Sequence, residues 1–152
     1  MSSKFYQVLL FVISLVLIFY IYQLPTSVIE NKNSKEDVQN LVSVEQALRL
    51  IEGSNPMEGV FMLRDIVENN PQDTEALYYL GVLSNQTGQY QNASERFNQL
   101  IAIDSSDKRA YLQLGISNYN LGKTYIADSL FSIVRDSKDE LLIKELDNFL
   151  TK

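Results

Sequence analysis

The 152-residue chain contains no cysteine, no histidine and no tryptophan. Zinc sites built from Cys and His are therefore impossible, as are His-based catalytic triads and thiol nucleophiles. Disulfides and a lipid-modified cysteine are excluded with them. The missing cysteine leaves the compartment open, because a reduced cytoplasm and a disulfide-free periplasm both permit it. Positive charge is also scarce. Beyond residue 29 the chain carries 12 of its 13 Lys and Arg against all 19 Asp and Glu, a net charge of −7. That balance argues against nucleic acid, whose binding depends on Lys and Arg neutralising phosphates. It argues equally against a domain lying flat on an anionic leaflet.

Charge of either sign is absent from Phe5 to Ile29, and residues 5–24, "FYQVLLFVISLVLIFYIYQL", are apolar almost throughout. About 20 such residues in a helix cross the roughly 30 Å hydrocarbon layer. Phe5, Leu10, Leu15, Phe19 and Leu24 mark the apolar length of this predicted anchor, and Tyr6, Tyr20 and Tyr22 fall where rings favour the interface. A cleaved signal peptide has a shorter apolar core and a small-x-small cleavage site, and "YQLPTSVIE" offers none. A buried core helix would carry a polar face, and this run has little. Residues 1–4 are then a short tail and 25–34, "PTSVIENKNS", a polar tether. The positive-inside comparison is nearly a tie, Lys4 and the amino terminus against Lys32 and Lys35. A four-residue tail usually stays inside, which places the long domain on the far side, the periplasm in a bacterium, of an inner-membrane single-pass protein.

An internal period organises the rest. Shifting 74–107 by 34 onto 108–141 aligns Ala76 with Ala110, Leu80-Gly81 with Leu114-Gly115, Gly88 with Gly122, Ala93 with Ala127 and Phe97 with Phe131. Leu77, Leu80, Gly81 and Ser84 recur at helical spacing on a first helix. Tyr90, Ala93, Phe97, Leu100 and Ile101 do so on a second. A mid-helix glycine costs about 1 kcal/mol against alanine, so Gly81 implies close helix contact, with Phe97 filling the space beside it. Gly88 suits a left-handed helix cap. Walking back by the same offset puts Ala47 at the Gly81 position, Gly59 at Ala93 and Leu63 at Phe97, in a degenerate first unit over 35–71. Asn55, Pro56 and Glu58 read as N-cap, first and third helical positions there. At the other end, Leu142, Leu146, Phe149 and Leu150 stripe a helix within 140–152 that covers the open end of a stack.

A period of 34 with Leu-Gly, then Ala and Phe downstream, resembles the tetratricopeptide repeat (TPR) family. The resemblance spans residues 35–139, as units 35–71, 74–107 and 108–139. It implies an all-α fold: an N-terminal transmembrane helix, then a right-handed TPR α-solenoid of about three helix pairs with a C-terminal capping helix. In the family, ligands are gripped from set positions on the first helix of each unit. Carried over, these are Leu41, Val44, Leu48 and Ile51; Glu75, Tyr78, Val82 and Asn85; and Arg109, Leu112, Ile116 and Tyr119. The protein-binding groove would thus be formed chiefly by Leu48, Tyr78, Val82, Asn85, Arg109, Leu112, Ile116 and Tyr119, apolar with Arg109 as its main charge; the same apolar residues also suit packing between repeats. The carboxylate-clamp subtype is not matched, since Val44, Leu48, Tyr79 and Gln113 stand where basic residues or Asn are expected.

Two glycosylation-like triplets, at Asn85 and Asn92, fall in packed helices, and the Glu68, Asp73 and Glu75 group reads as a helix junction with Asp73 as N-cap. The expectation is a membrane-anchored adaptor in a bacterial envelope complex, with no catalytic residues, metal or cofactor, no small-molecule substrate and a protein partner. The alternative is a structural accessory subunit or self-associating scaffold held mainly by its transmembrane helix.

Overall fold

A computed structural model of the protein describes residues 43–151. The predicted anchor at 5–24, the tether, and the start of the first repeat with Leu41 lie outside the described residues. Among the described residues no helix is long and apolar enough to cross a membrane.

Seven helices and no strand make up the described residues. They are α1 (43–52), α2 (Pro56–Asn69), α3 (Thr74–Gln86), α4 (Tyr90–Ile103), α5 (Lys108–Asn120), α6 (Thr124–Asp136) and α7 (Glu140–Leu150). The expected three pairs with a capping helix are therefore present.

The first helix of each later pair, and the capping helix α7, begins on an aspartate. Asp73 accepts from the Ala76 N–H at 2.9 Å and Asp107 from the Arg109 N–H at 2.9 Å. Asp139 accepts from Leu141 and Leu142 at 3.0 and 3.2 Å. Each occupies orphan donors of the first turn, worth about 1 kcal/mol apiece. The cap expected at Asn55 differs. Pro56 does open α2, but the Asn55 side chain makes no capping bond and instead donates to Glu58 Oε2 at 3.2 Å. The Asn55 carbonyl accepts from Glu58 and Gly59 instead.

Three buried clusters run through the stack, and each ties a pair to the first helix of the next. Val44, Ala47 and Leu63 pack with Ala76 and Leu80 of α3. Leu77, Ala93, Phe97 and Leu100 pack with Ala110 and Leu114 of α5. Leu112, Ala127, Phe131 and Val134 pack with Leu146 of α7. This nearest-neighbour burial is what makes a repeat array cohere, since no pair can hide its apolar face alone.

Two glycines sit where paired helices cross with no room for a side chain. A Cβ on Gly81 would stand 2.5 Å from Phe97 Cζ, and one on Gly115 would collide with the Phe131 ring. The first unit solves the same crossing with different residues. Leu63 is smaller than Phe97, so Ala47 fits where glycine is needed later. The glycine moves to the other helix, as Gly59, where a Cβ would strike the Ala47 carbonyl oxygen and lie 2.7 Å from Ile51 Cγ1. At the turn between helices Gly88 and Gly122 both have φ of 74°. The Gln89 N–H reaches the Ser84 carbonyl at 2.8 Å, closing the α3 end as a Schellman cap.

The final junction departs from the period. Asp107 and Asp139 are 32 residues apart, against 34 between Asp73 and Asp107. The shortened turn places Lys138 at φ 59°, the one non-glycine residue with positive φ among the described residues.

Candidate functional site

The first helices of the last two pairs, α3 and α5, together with α7, border a groove of about 580 Å³. Tyr78, Val82 and Asn85 come from α3, at the spacing that puts them on one face. Gln113, Ile116 and Asn120 come from α5, and Glu145 and Phe149 from α7. Tyr79, Gln86 and Tyr90 close the side toward α4.

A chain of polar contacts ties the three helices together beneath this groove. The Asn85 amide donates to the Gln113 carbonyl and to Gln113 Oε1, both at 3.1 Å. Buried Ser117 donates to Asn85 Oδ1 at 2.8 Å, and its hydroxyl also lies 2.8 Å from the Gln113 carbonyl. Gln113 Nε2 donates onward to Glu145 Oε1 at 3.0 Å. Gln113 and Ser117 are buried and Asn85 half-buried, so a missing partner there is costly, while Glu145 stands exposed at the end of the chain. Asn85 is therefore a spacer between repeats, with its carbonyl and amide already engaged.

Arg109 is occupied too. Its Nη2 lies 2.7 Å from Glu75 Oε1 and 2.7 Å from Asp107 Oδ2, and its Nε donates to Asp107 at 3.0 Å. The guanidinium carbon sits 4.6 Å from the Tyr78 ring centroid, a cation–π geometry. The hydrogen bonds to Asp107, ahead of those to Glu75, raise the Arg109 pKa above its already high value. Two carboxylates thus hold the cation that was expected to face a ligand. Of the described residues lining the groove, Glu145 is the one charged side chain.

Tyr78 is pinned by its neighbours, its ring edge-on to Tyr79 at 5.4 Å and to Phe97 at 6.1 Å. Burial first, then the Glu145 carboxylate, push its phenol up to about 12, with Arg109 pulling the other way.

The eight predicted groove residues divide. Val82 and Ile116 are partly buried and line the groove. Tyr119 is not among the lining residues but reaches the groove's edge through Phe149, its ring edge-on at 5.4 Å, and is 47% exposed. Tyr78 and Asn85 line it but are also bonded within the stack. Leu48 is not among the groove's lining residues and packs instead against the cluster of Val44, Ala47 and Leu63. Leu112 corrects the expectation outright. It is fully buried, because α7 lays Leu146 over it alongside Phe131 and Val134. The sequence reading missed Gln113, Glu145 and Phe149. The signal for the last two was the aspartate series 73, 107, 139, which starts α7 where a further first helix would begin.

A family model described as "Tetratricopeptide repeat" matches residues 75–105, the span of α3 and α4. This supports the TPR reading made from the period of 34. No curated protein matches the chain. A TPR repeat is a protein-interaction fold, so its presence here points to a protein-binding adaptor.

Proposed function

We propose that the protein is a non-catalytic adaptor that takes a segment of a partner protein into the groove between α3, α5 and α7. The observation that carries this reading is the division of labour within the groove. Asn85, Gln113, Ser117 and Arg109, which could grip a ligand, are engaged within the stack, while Val82, Ile116, Phe149 and the neighbouring ring of Tyr119 leave apolar and aromatic surface open. Amphipathic rings beside a groove favour an apolar peptide or helix laid along it. With Arg109 neutralised and Glu145 exposed, the groove favours a segment bearing an amide or a basic group over an acidic one.

The apolar run from Phe5 to Leu24 supports a membrane tether for this adaptor. On that reading the repeats stand in the periplasm, serving an envelope complex for translocation, assembly or maturation. Affinity purification of the full chain in mild detergent is then expected to retain a stoichiometric membrane partner, lost in the Tyr78→Ala, Tyr119→Ala double variant. Recovery of unaccompanied, monodisperse protein under those conditions contradicts the proposal. The same apolar run favours a second reading, an accessory subunit whose main contact is the span itself. Exchanging residues 5–24 for an unrelated span abolishes assembly on that reading and spares it on the first.

A further inference from the structure

The opposite face of α3 carries a second cavity, with chemistry unlike the groove's. Residues 80, 83, 84 and 87 project about half a turn away from 78, 82 and 85. There Leu80 and Leu83, with Met57 and Val60 of α2, line a cavity of about 180 Å³. Its polar edge carries two arginines, Arg64 from α2 and Arg96 from α4, beside the uncharged Ser84, Thr87, Gln89 and Asn92.

Neither arginine is in an ion pair among the described residues, whose pairs are Arg49–Glu45, Arg109–Glu75 and Arg109–Asp107. Arg96 Nε is buried and makes no hydrogen bond. Burial and then the neighbouring Arg64 charge lower the Arg96 pKa, with Glu95 opposing; the Glu95 carboxylate itself accepts from Gln91 at 3.0 Å. Two cations held together in a chain with net charge −6 are an unpaid electrostatic debt that a carboxylate would settle.

The apolar part extends past the cavity. Met57 is 58% exposed and Phe61, one helical turn further along α2, is 53% exposed, with the Arg64 guanidinium carbon 6.0 Å from its ring centroid. The cavity holds one large side chain, and the shelf beyond it continues along α2. That length fits a run of several residues better than a single terminal residue.

We propose that this face is a second docking site, taking an internal segment of a partner protein in which Asp or Glu neighbours a large apolar residue. The apolar side chain enters between Met57, Val60, Leu80 and Leu83, and the carboxylate bridges Arg64 and Arg96. The two sites on α3 would then select opposite chemistries, an acidic segment here and a non-acidic one in the groove.

The test is selection from a random hexapeptide library, N-acetylated and C-amidated, against the full chain in detergent. Enriched sequences should pair Asp or Glu with Leu, Ile, Met or Phe within two positions. Binding of the best one should fall at least tenfold in Arg64→Gln and in Arg96→Gln, and tenfold again when its own acid becomes the amide. Arg64 is exposed, so its variant separates loss of binding from loss of fold; Tyr119→Ala should leave this binding unchanged. Enrichment without an acidic residue, or indifference to both arginine variants, overturns the proposal. So does binding that appears only with a free C-terminal carboxylate, or concentration-dependent self-association of the full chain that Arg64→Gln abolishes.

Discussion

Gly81 and Phe97 state the packing rule of this stack in two residues. A methyl on Gly81 has nowhere to go but into the Phe97 ring, so Gly81→Ala should destabilise by about 1–3 kcal/mol. The first unit has already shown the remedy, Ala47 with Leu63. Adding Phe97→Leu to Gly81→Ala should therefore recover part of the loss, giving a non-additive cycle in denaturant unfolding. Additive losses would mean that the contact is not the reason for the glycine. Lys138 is the converse case, a side chain at φ 59°. Lys138→Gly should raise stability by about 0.5–1 kcal/mol, read as a higher melting temperature. Tyr78 supplies a pH signature. Its phenol sits at about 12 in the fold against the ordinary 10.0. Between those values the unfolded chain has lost the proton that the folded chain still holds, so stability falls as pH rises from 10 toward 12. Tyr78→Phe should make the decline in melting temperature over that window shallower than in the parent chain.

Among the elements, α7 carries the most that was not evident beforehand. Its stripe of Leu142, Leu146 and Phe149 marked it as a lid on the core, which Leu146 is. The residues opposite could not be assigned by a heptad-like count alone, and two of α7's side chains turn out to border the groove. Leu112 was lost from the predicted groove for the same reason, since a helix arriving 32 residues after the last cap covers it. The Arg109–Glu75 pair, by contrast, was not read from the sequence, which set Arg109 toward a ligand, although the numbering held the clue. They are the same repeat position one period of 34 apart, so consecutive first helices set them side by side. The Gln113 bridge is testable at this scale. Gln113→Ala removes a carboxamide that both accepts from Asn85 and donates to Glu145, and should cost about 1–2 kcal/mol. Hydrogen exchange should then quicken in α7 more than in α3 or α4. Uniform quickening would show that α7 is held by its apolar face alone.

At the scale of the molecule, the period of 34 was readable because a small residue recurs where the helices of a pair cross, faced by a phenylalanine in the last two pairs. The assignment of charges to a ligand was not, because side chains from neighbouring repeats compete for the same partners before any ligand arrives. What remains open to a partner is the apolar and aromatic surface at the mouth of the groove, and Tyr119 is its most exposed part. The direct test is site-specific photo-crosslinking in cells from position 119 of the full chain, with position 125 as control. Tyr125 is 85% exposed but does not line the groove. A discrete protein adduct from 119, absent from 125 and lost on Tyr78→Ala, is the expected result. No adduct from 119, or the same adduct from both positions, would contradict the claim that the groove is where this protein binds.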